Sequence, residues 1–94
     1  MPQLLFTPQA KSELASLKSN LPKLKRVNRC LALIESNPRH PGLNSHKYTS
    51  LKGANGEDVW ESYVENNTPA AWRIFWHYGP DQNQITIIAI TPHP

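Results

Sequence analysis

Arg73 stands inside the run Ala71-Trp72-Arg73-Ile74-Phe75-Trp76, one cation among apolar and aromatic strand formers. A guanidinium keeps its charge and is seldom buried without a partner, so this one either pairs with a carboxylate or faces an anionic ligand. Its planar fork of N–H donors matches two oxygens of a phosphate. The chain's four histidines, His40, His46, His77 and His93, are the groups whose ordinary titration lies nearest neutral pH, which suits them to proton transfer. His40 and His46 have no nearby third ligand, so neither a metal nor any other cofactor is expected. Cys30 is the only cysteine, which excludes an internal disulfide and a thiolate-rich metal site; its apolar helical setting predicts a small buried thiol.

The charge is divided along the chain. Residues 1–53 hold nine Lys and Arg against Glu13 and Glu35, whereas residues 54–94 hold Arg73 alone against Glu57, Asp58, Glu61, Glu65 and Asp81. A basic half of this kind faces phosphates or an acidic partner, whereas a solubility coat mixes its signs. With 94 residues the chain is expected to form a single domain with one core, residues 1–94. No run of about 18 apolar residues is present and residues 1–6 do not have the pattern of a secretory leader, so a soluble, cytoplasmic protein with no membrane contact is expected.

The elements that must hold these residues follow from periodicity and punctuation. Leu4-Leu5-Phe6 predicts a short strand, and Thr7-Pro8 a helix start, with Thr as N-cap and Pro in the first turn. Ala10, Leu14 and Leu17 recur at helical spacing, predicting a helix over about 8–19. Leu24, Val27, Leu31 and Ile34 predict a second over about 22–36, opened by Pro22 and ended at Asn37-Pro38. The two make a helical hairpin whose outer side carries Lys18, Lys23, Lys25, Arg26 and Arg29. An ordered loop over 37–46 leads to a loosely alternating strand over 46–51, and Asn55-Gly56 predicts a hairpin turn. Strands follow over 58–65, 70–78 and 85–91, separated by turns at Asn66-Asn67-Thr68-Pro69 and Gly79-Pro80-Asp81, the last strand apolar enough for a central position. The predicted fold class is α+β: an N-terminal strand, a helical hairpin, then a curved antiparallel sheet of three to four strands covered on one face. Alternation puts Trp72, Ile74 and Trp76 on the covered face and Arg73, Phe75 and His77 on the open one.

This succession, together with Leu51-Lys52-Gly53, Val59-Trp60-Glu61-Ser62-Tyr63-Val64, Trp72-Arg73-Ile74 and an apolar strand ending near His93, resembles the RelE/ParE superfamily of type II toxins. The resemblance implies a compact toxin made with an antitoxin that wraps it, acting on ribosome-bound mRNA or on DNA gyrase. In the mRNA-cleaving members an Arg at the position of Arg73 binds phosphate. The two open-face positions on the neighbouring strand correspond to Glu61 and Tyr63, and a basic residue near the chain end corresponds to His93, with Pro94 at the position after it.

Cleavage of RNA by its own 2′-hydroxyl requires a base, an acid for the leaving 5′-oxygen and a positive group for the charge on phosphorus. Arg73 fits the last role, and Glu61, His93 or His46 the first two, worth about 10²–10⁴ in rate. Tyr63, Phe75 or Trp60 can stack on a splayed base, and Lys47 and Lys52 can hold flanking phosphates. A plain ion pair between Arg73 and Glu61 across neighbouring strands is the alternative use of both groups. The resemblance favours a ribosome-dependent mRNA endonuclease needing no metal, held by the acidic or amphipathic segment of a cognate antitoxin. A gyrase-binding toxin with no nuclease activity, or a relative without toxicity, stays open.

Overall fold

The computed structural model describes residues 1–66 and 68–93; Asn67, in the expected turn after the third strand, and Pro94 lie outside the described residues. Nine segments follow in order: β1 (Gln3–Phe6), α1 (Pro8–Ser16), a 3₁₀ turn (Leu17–Ser19), α2 (Leu21–Ser36), a second 3₁₀ turn (Pro41–Leu43), β2 (His46–Lys52), β3 (Asp58–Tyr63), β4 (Trp72–Tyr78) and β5 (Gln84–Pro92). Among the described residues no helix is long and apolar enough to cross a membrane.

Helix α1 starts as its sequence predicts, and α2 one residue before the expected Pro22. Thr7 accepts a hydrogen bond from the Ala10 N–H at its own side chain, and Pro8 occupies the first turn. Asn20 caps α2 by accepting from the Lys23 N–H, which moves the start to Leu21 and puts Pro22 second. The first helix tightens to a 3₁₀ turn at Leu17 before that cap, so it ends at Ser16. Val27, Cys30, Leu31 and Ile34 are buried along α2 and meet Ile74, Trp76, Ile85, Ile87 and Ile90 from the sheet, forming the main core.

The sheet has five strands in the order β1-β5-β4-β3-β2. β2 to β5 are antiparallel, as expected, but β1 also joins, parallel to β5, with Gln3 opposite Gln84 and Phe6 opposite Ile87. That pairing makes β5 an interior strand, which accounts for its apolar run. The β4–β5 register slips at Phe75 and Trp76, leaving Ile88 as an extra residue on β5. Its neighbourhood is satisfied from α1's side: Thr7 Oγ1 donates to the Ile88 carbonyl at 2.7 Å, and Glu13 accepts from the Ile90 N–H at 2.8 Å. At the β2–β3 turn Gly56 has φ +84°, the left-handed geometry that Asn55-Gly56 anticipates.

The expectation of one bare sheet face needs correction. Val59, Phe75 and Ala89 form a second small core there, with Tyr48 edge-on to Phe75 at 4.9 Å and Ile88 packed alongside. His77, on the same face, is buried too, its Nδ1–H donating to the Tyr78 carbonyl at 2.7 Å.

Candidate functional site

Glu61 is the centre of the site. It sits on β3 with His46 of β2 directly across from it, Tyr63 two residues along the same face, and Arg73 opposite Tyr63 on β4. Thr91 of β5 pairs with Arg73, so the chain just past β5 returns to the same place. There the His93 backbone N–H donates to the Ala71 carbonyl at 2.8 Å, which fixes the residue to the sheet. Register, over a span of 32 residues, therefore brings His93 to Glu61.

The carboxylate of Glu61 is 1% exposed and clamped from both sides. His46 Nε2 lies 2.6 Å from Oε1, and His93 Nδ1 lies 2.6 Å from Oε2. Burial of a carboxylate is tolerated only with such donors. The histidine rings are half exposed, 50% and 47%, and form the surface of the site above a buried anion. The hydrogen bonds constrain their protons. His93 Nδ1–H donates to Glu61, so its free Nε2 is the nitrogen available for chemistry. His46 faces an acceptor at both nitrogens, since Nδ1 lies 3.3 Å from the Asn44 carbonyl; both contacts are satisfied only by the doubly protonated ring.

Arg73 lies on the expected face but is 7% exposed, not open. Its Nη1 donates to the Glu65 carbonyl at 2.7 Å and the Trp72 carbonyl at 3.1 Å, and its guanidinium lies 3.7 Å from the centre of the Tyr63 ring. Its Nε is buried without an acceptor among the described residues, 3.7 Å from Glu61 Oε2. The expected cross-strand pair is thus diagonal and longer than a hydrogen bond. A buried N–H left unpaired costs about 1–3 kcal/mol, which an arriving oxyanion would recover.

The other expected residues divide. Tyr63 belongs to the cluster, under Arg73 and edge-on to His46 at 5.6 Å. Lys47 does not: it pairs with Trp60 in register, one residue out of phase with His46, and so points to the opposite face. Both Lys47 and Lys52 are held by Asp58, at 3.3 and 2.7 Å, and these bonds draw the Asp58 carboxyl below its ordinary range. Glu65 was not anticipated. Its carboxylate takes Lys23 at 2.7 Å and Arg26 at 3.2 Å and accepts from the Trp72 N–H, while its carbonyl holds Arg73. The Lys23 hydrogen bond is the first cause of its lowered pKa. Only the acidic residue just past a strand end hints at this in the sequence. Two of the five expected helix cations are thereby tied down, and Lys18, Lys25 and Arg29 stay exposed. Among the described residues no group of three His, Cys, Asp or Glu is arranged to hold a metal ion.

No protein-family model and no curated protein matches the sequence. Solved structures do match over almost the whole chain. The YoeB/ParE toxin from Agrobacterium tumefaciens is similar at TM-score 0.74 and 12% identity, covering 98% of this chain and 99% of that one. The YoeB-YefM toxin–antitoxin complex from Staphylococcus aureus gives 0.67 and 22%, covering 100% and 99%. The archaeal RelE-RelB complex from Pyrococcus horikoshii gives 0.69 and 16%, covering 97% and 93%. The chain has the fold of the RelE/ParE-type toxins. Within that fold it matches structures of the YoeB and RelE branches.

Proposed function

We propose that the protein is the toxin of a type II toxin–antitoxin pair and that it cleaves mRNA on the ribosome. One observation carries the reading: a buried carboxylate holds two half-exposed histidines beside an arginine whose Nε has no acceptor among the described residues. That is the equipment for transphosphorylation. His93 Nε2 takes the proton of the 2′-hydroxyl as its oxygen attacks phosphorus. Arg73, beside the Glu61 cluster, offsets the charge on the phosphoryl oxygens electrostatically. His46 delivers its Nδ1 proton, held only by the long contact to Asn44, to the departing 5′-oxygen. The P–O5′ bond breaks, leaving a 2′,3′-cyclic phosphate and a 5′-hydroxyl. Glu61 orients both rings and touches no substrate, so it is a positioning residue and not the base.

Exposed Lys18, Lys25 and Arg29 suit the acidic segment of an antitoxin, a partner that the YoeB-YefM and RelE-RelB structures have. Mapping mRNA 5′ ends soon after induction tests the reading. In-frame cuts confined to translated regions are expected, and they disappear with His93→Ala. Intact mRNA accompanied by DNA breaks would replace the nuclease with a gyrase inhibitor.

A further inference from the structure

On the other face of the sheet, α2 stops at Ser36 and the chain crosses as an irregular arc with only the 3₁₀ turn Pro41–Leu43. The end of the sheet under that arc is not filled. A cleft of about 550 Å³ remains, floored by Trp60, Trp76 and Tyr78 and rimmed by Arg39 and His40. This lies within the range of roughly 300–1,000 Å³ that holds small ligands.

The floor is rigid. Trp76 is 1% exposed, and its Nε1–H donates at 2.8 Å to Ser62 Oγ, which shares a 2.6 Å hydrogen bond with Ser45 of the arc. Trp60 lies nearly parallel to Trp76, with centroids 6.2 Å apart, and Tyr78 stands edge-on to it at 5.1 Å and is 45% exposed. The rim carries Arg39, and Lys47 stands outside the lining, over the Trp60 ring. Arg39 has no ion pair among the described residues, and Lys47 Nζ, shared with Asp58, lies 5.8 Å from the Trp60 ring centre. His40 Nδ1 accepts from the Gly42 N–H at 2.9 Å, which leaves Nε2–H as its donor.

We propose that this cleft takes one unpaired base of single-stranded RNA, stacked against the aromatic floor, with its phosphate at Arg39 and Lys47. Aromatic platforms lined by cations suit RNA, whose bases all offer a π-face. Continuity with the catalytic face favours the same occupant. Trp60 and Glu61 are neighbours on β3, His46 and Lys47 neighbours on β2, and each pair points to opposite faces. β2 is an edge strand, so an RNA strand bending around it reaches both sides. The inference rests on the nuclease reading for its substrate, but it is measured separately.

The test uses the full chain carrying His93→Ala, which prevents turnover, and follows tryptophan fluorescence on titration with an unstructured ribohexanucleotide. Quenching is expected, with affinity falling about fivefold or more for Tyr78→Ala and Arg39→Ala, the scale of losing one stacked base or one phosphate contact. Tyr78→Phe should bind like the parent, and melting curves exclude unfolding as the cause. Equal affinity in both alanine variants overturns the cleft. So does tighter binding of an acidic Trp-containing peptide that the hexanucleotide fails to displace, which would make this a protein-docking surface. If the cleft variants bind normally while His93→Ala abolishes mRNA cleavage, only this inference fails. If they lose RNA affinity while the wild-type protein leaves mRNA intact, only the nuclease reading fails.

Discussion

Replacing Glu61 by Gln changes almost no volume and removes one charge, so its effect isolates what the carboxylate does. An amide accepts on one side only and donates on the other. Arg73 Nε and His93 Nδ1 both approach Oε2, at 3.7 and 2.6 Å, so the amide oxygen takes that position and the NH₂ turns toward His46 Nε2. His46 must then accept at Nε2, keeping a single proton at Nδ1. The variant thus retains the proposed base but leaves His46 a neutral ring, a far weaker acid than the doubly protonated one, an effect of about 10²–10⁴ on the cleavage rate. Folding weakens too, because buried Arg73 loses its nearby counter-charge, at a cost of about 1–3 kcal/mol. For a domain of this size that lowers Tm by about 4 °C or more. Single-turnover cleavage of a ribosome-bound message across pH reads the first effect, and thermal melting the second. A substrate with sulfur in place of the 5′-bridging oxygen, whose leaving group needs no proton, should recover most of the rate. A wild-type rate and pH profile in Glu61→Gln would refute the assignment of His46 and Glu61 together.

Further outcomes follow from single contacts. Arg73→Lys keeps the charge but loses the planar stack on Tyr63 and one of two carbonyl contacts; kcat/KM should fall about 10²–10³-fold with the fold retained, measured by kinetics and circular dichroism. Glu65 has a folded pKa below its ordinary 4.5, so its stabilisation is complete above that value and disappears as pH falls through the folded pKa. Urea midpoints measured downward from pH 5 should therefore drop more steeply in wild type than in Glu65→Gln. The Cys30 thiol, 4% exposed and pushed up to about 12 by burial, should resist iodoacetamide at pH 8 until denaturant unfolds the chain.

Which parts of this were legible in the sequence depended on whether the signal was local. The face of Arg73 followed from strand alternation, and both helix starts followed from Thr7-Pro8 and from the break at Asn20-Leu21-Pro22, because caps and periodicity act within a few residues. The depth of Arg73 did not follow, since burial there comes from Tyr63 across the ladder and from the Glu65 carbonyl beyond a turn. His46, Glu61 and His93 could each be named as proton carriers, yet their union through one carboxylate depends on the registers of β2–β3 and β4–β5. That Lys47 falls on the other face from His46 was hidden for the same reason. In a loosely alternating strand, a shift of one residue moves a side chain through the sheet, and only the pairing with Trp60 fixes the parity. β1 was visible as a strand, but nothing in Leu4-Leu5-Phe6 says that its partner lies at the far end of the chain.

That partnership has a bearing on time. Gln3 and Gln84 touch across a separation of 81 residues, and the sheet closes only when β5 reaches β1. Such distant pairings make folding slow, because a long loop must be ordered before any contact rewards it. Residue 93 supplies one side of the Glu61 clamp, so a growing chain holds Glu61, Arg73 and His46 for some time without their last member. While the chain is being made, the Glu61 carboxylate is therefore clamped from one side only.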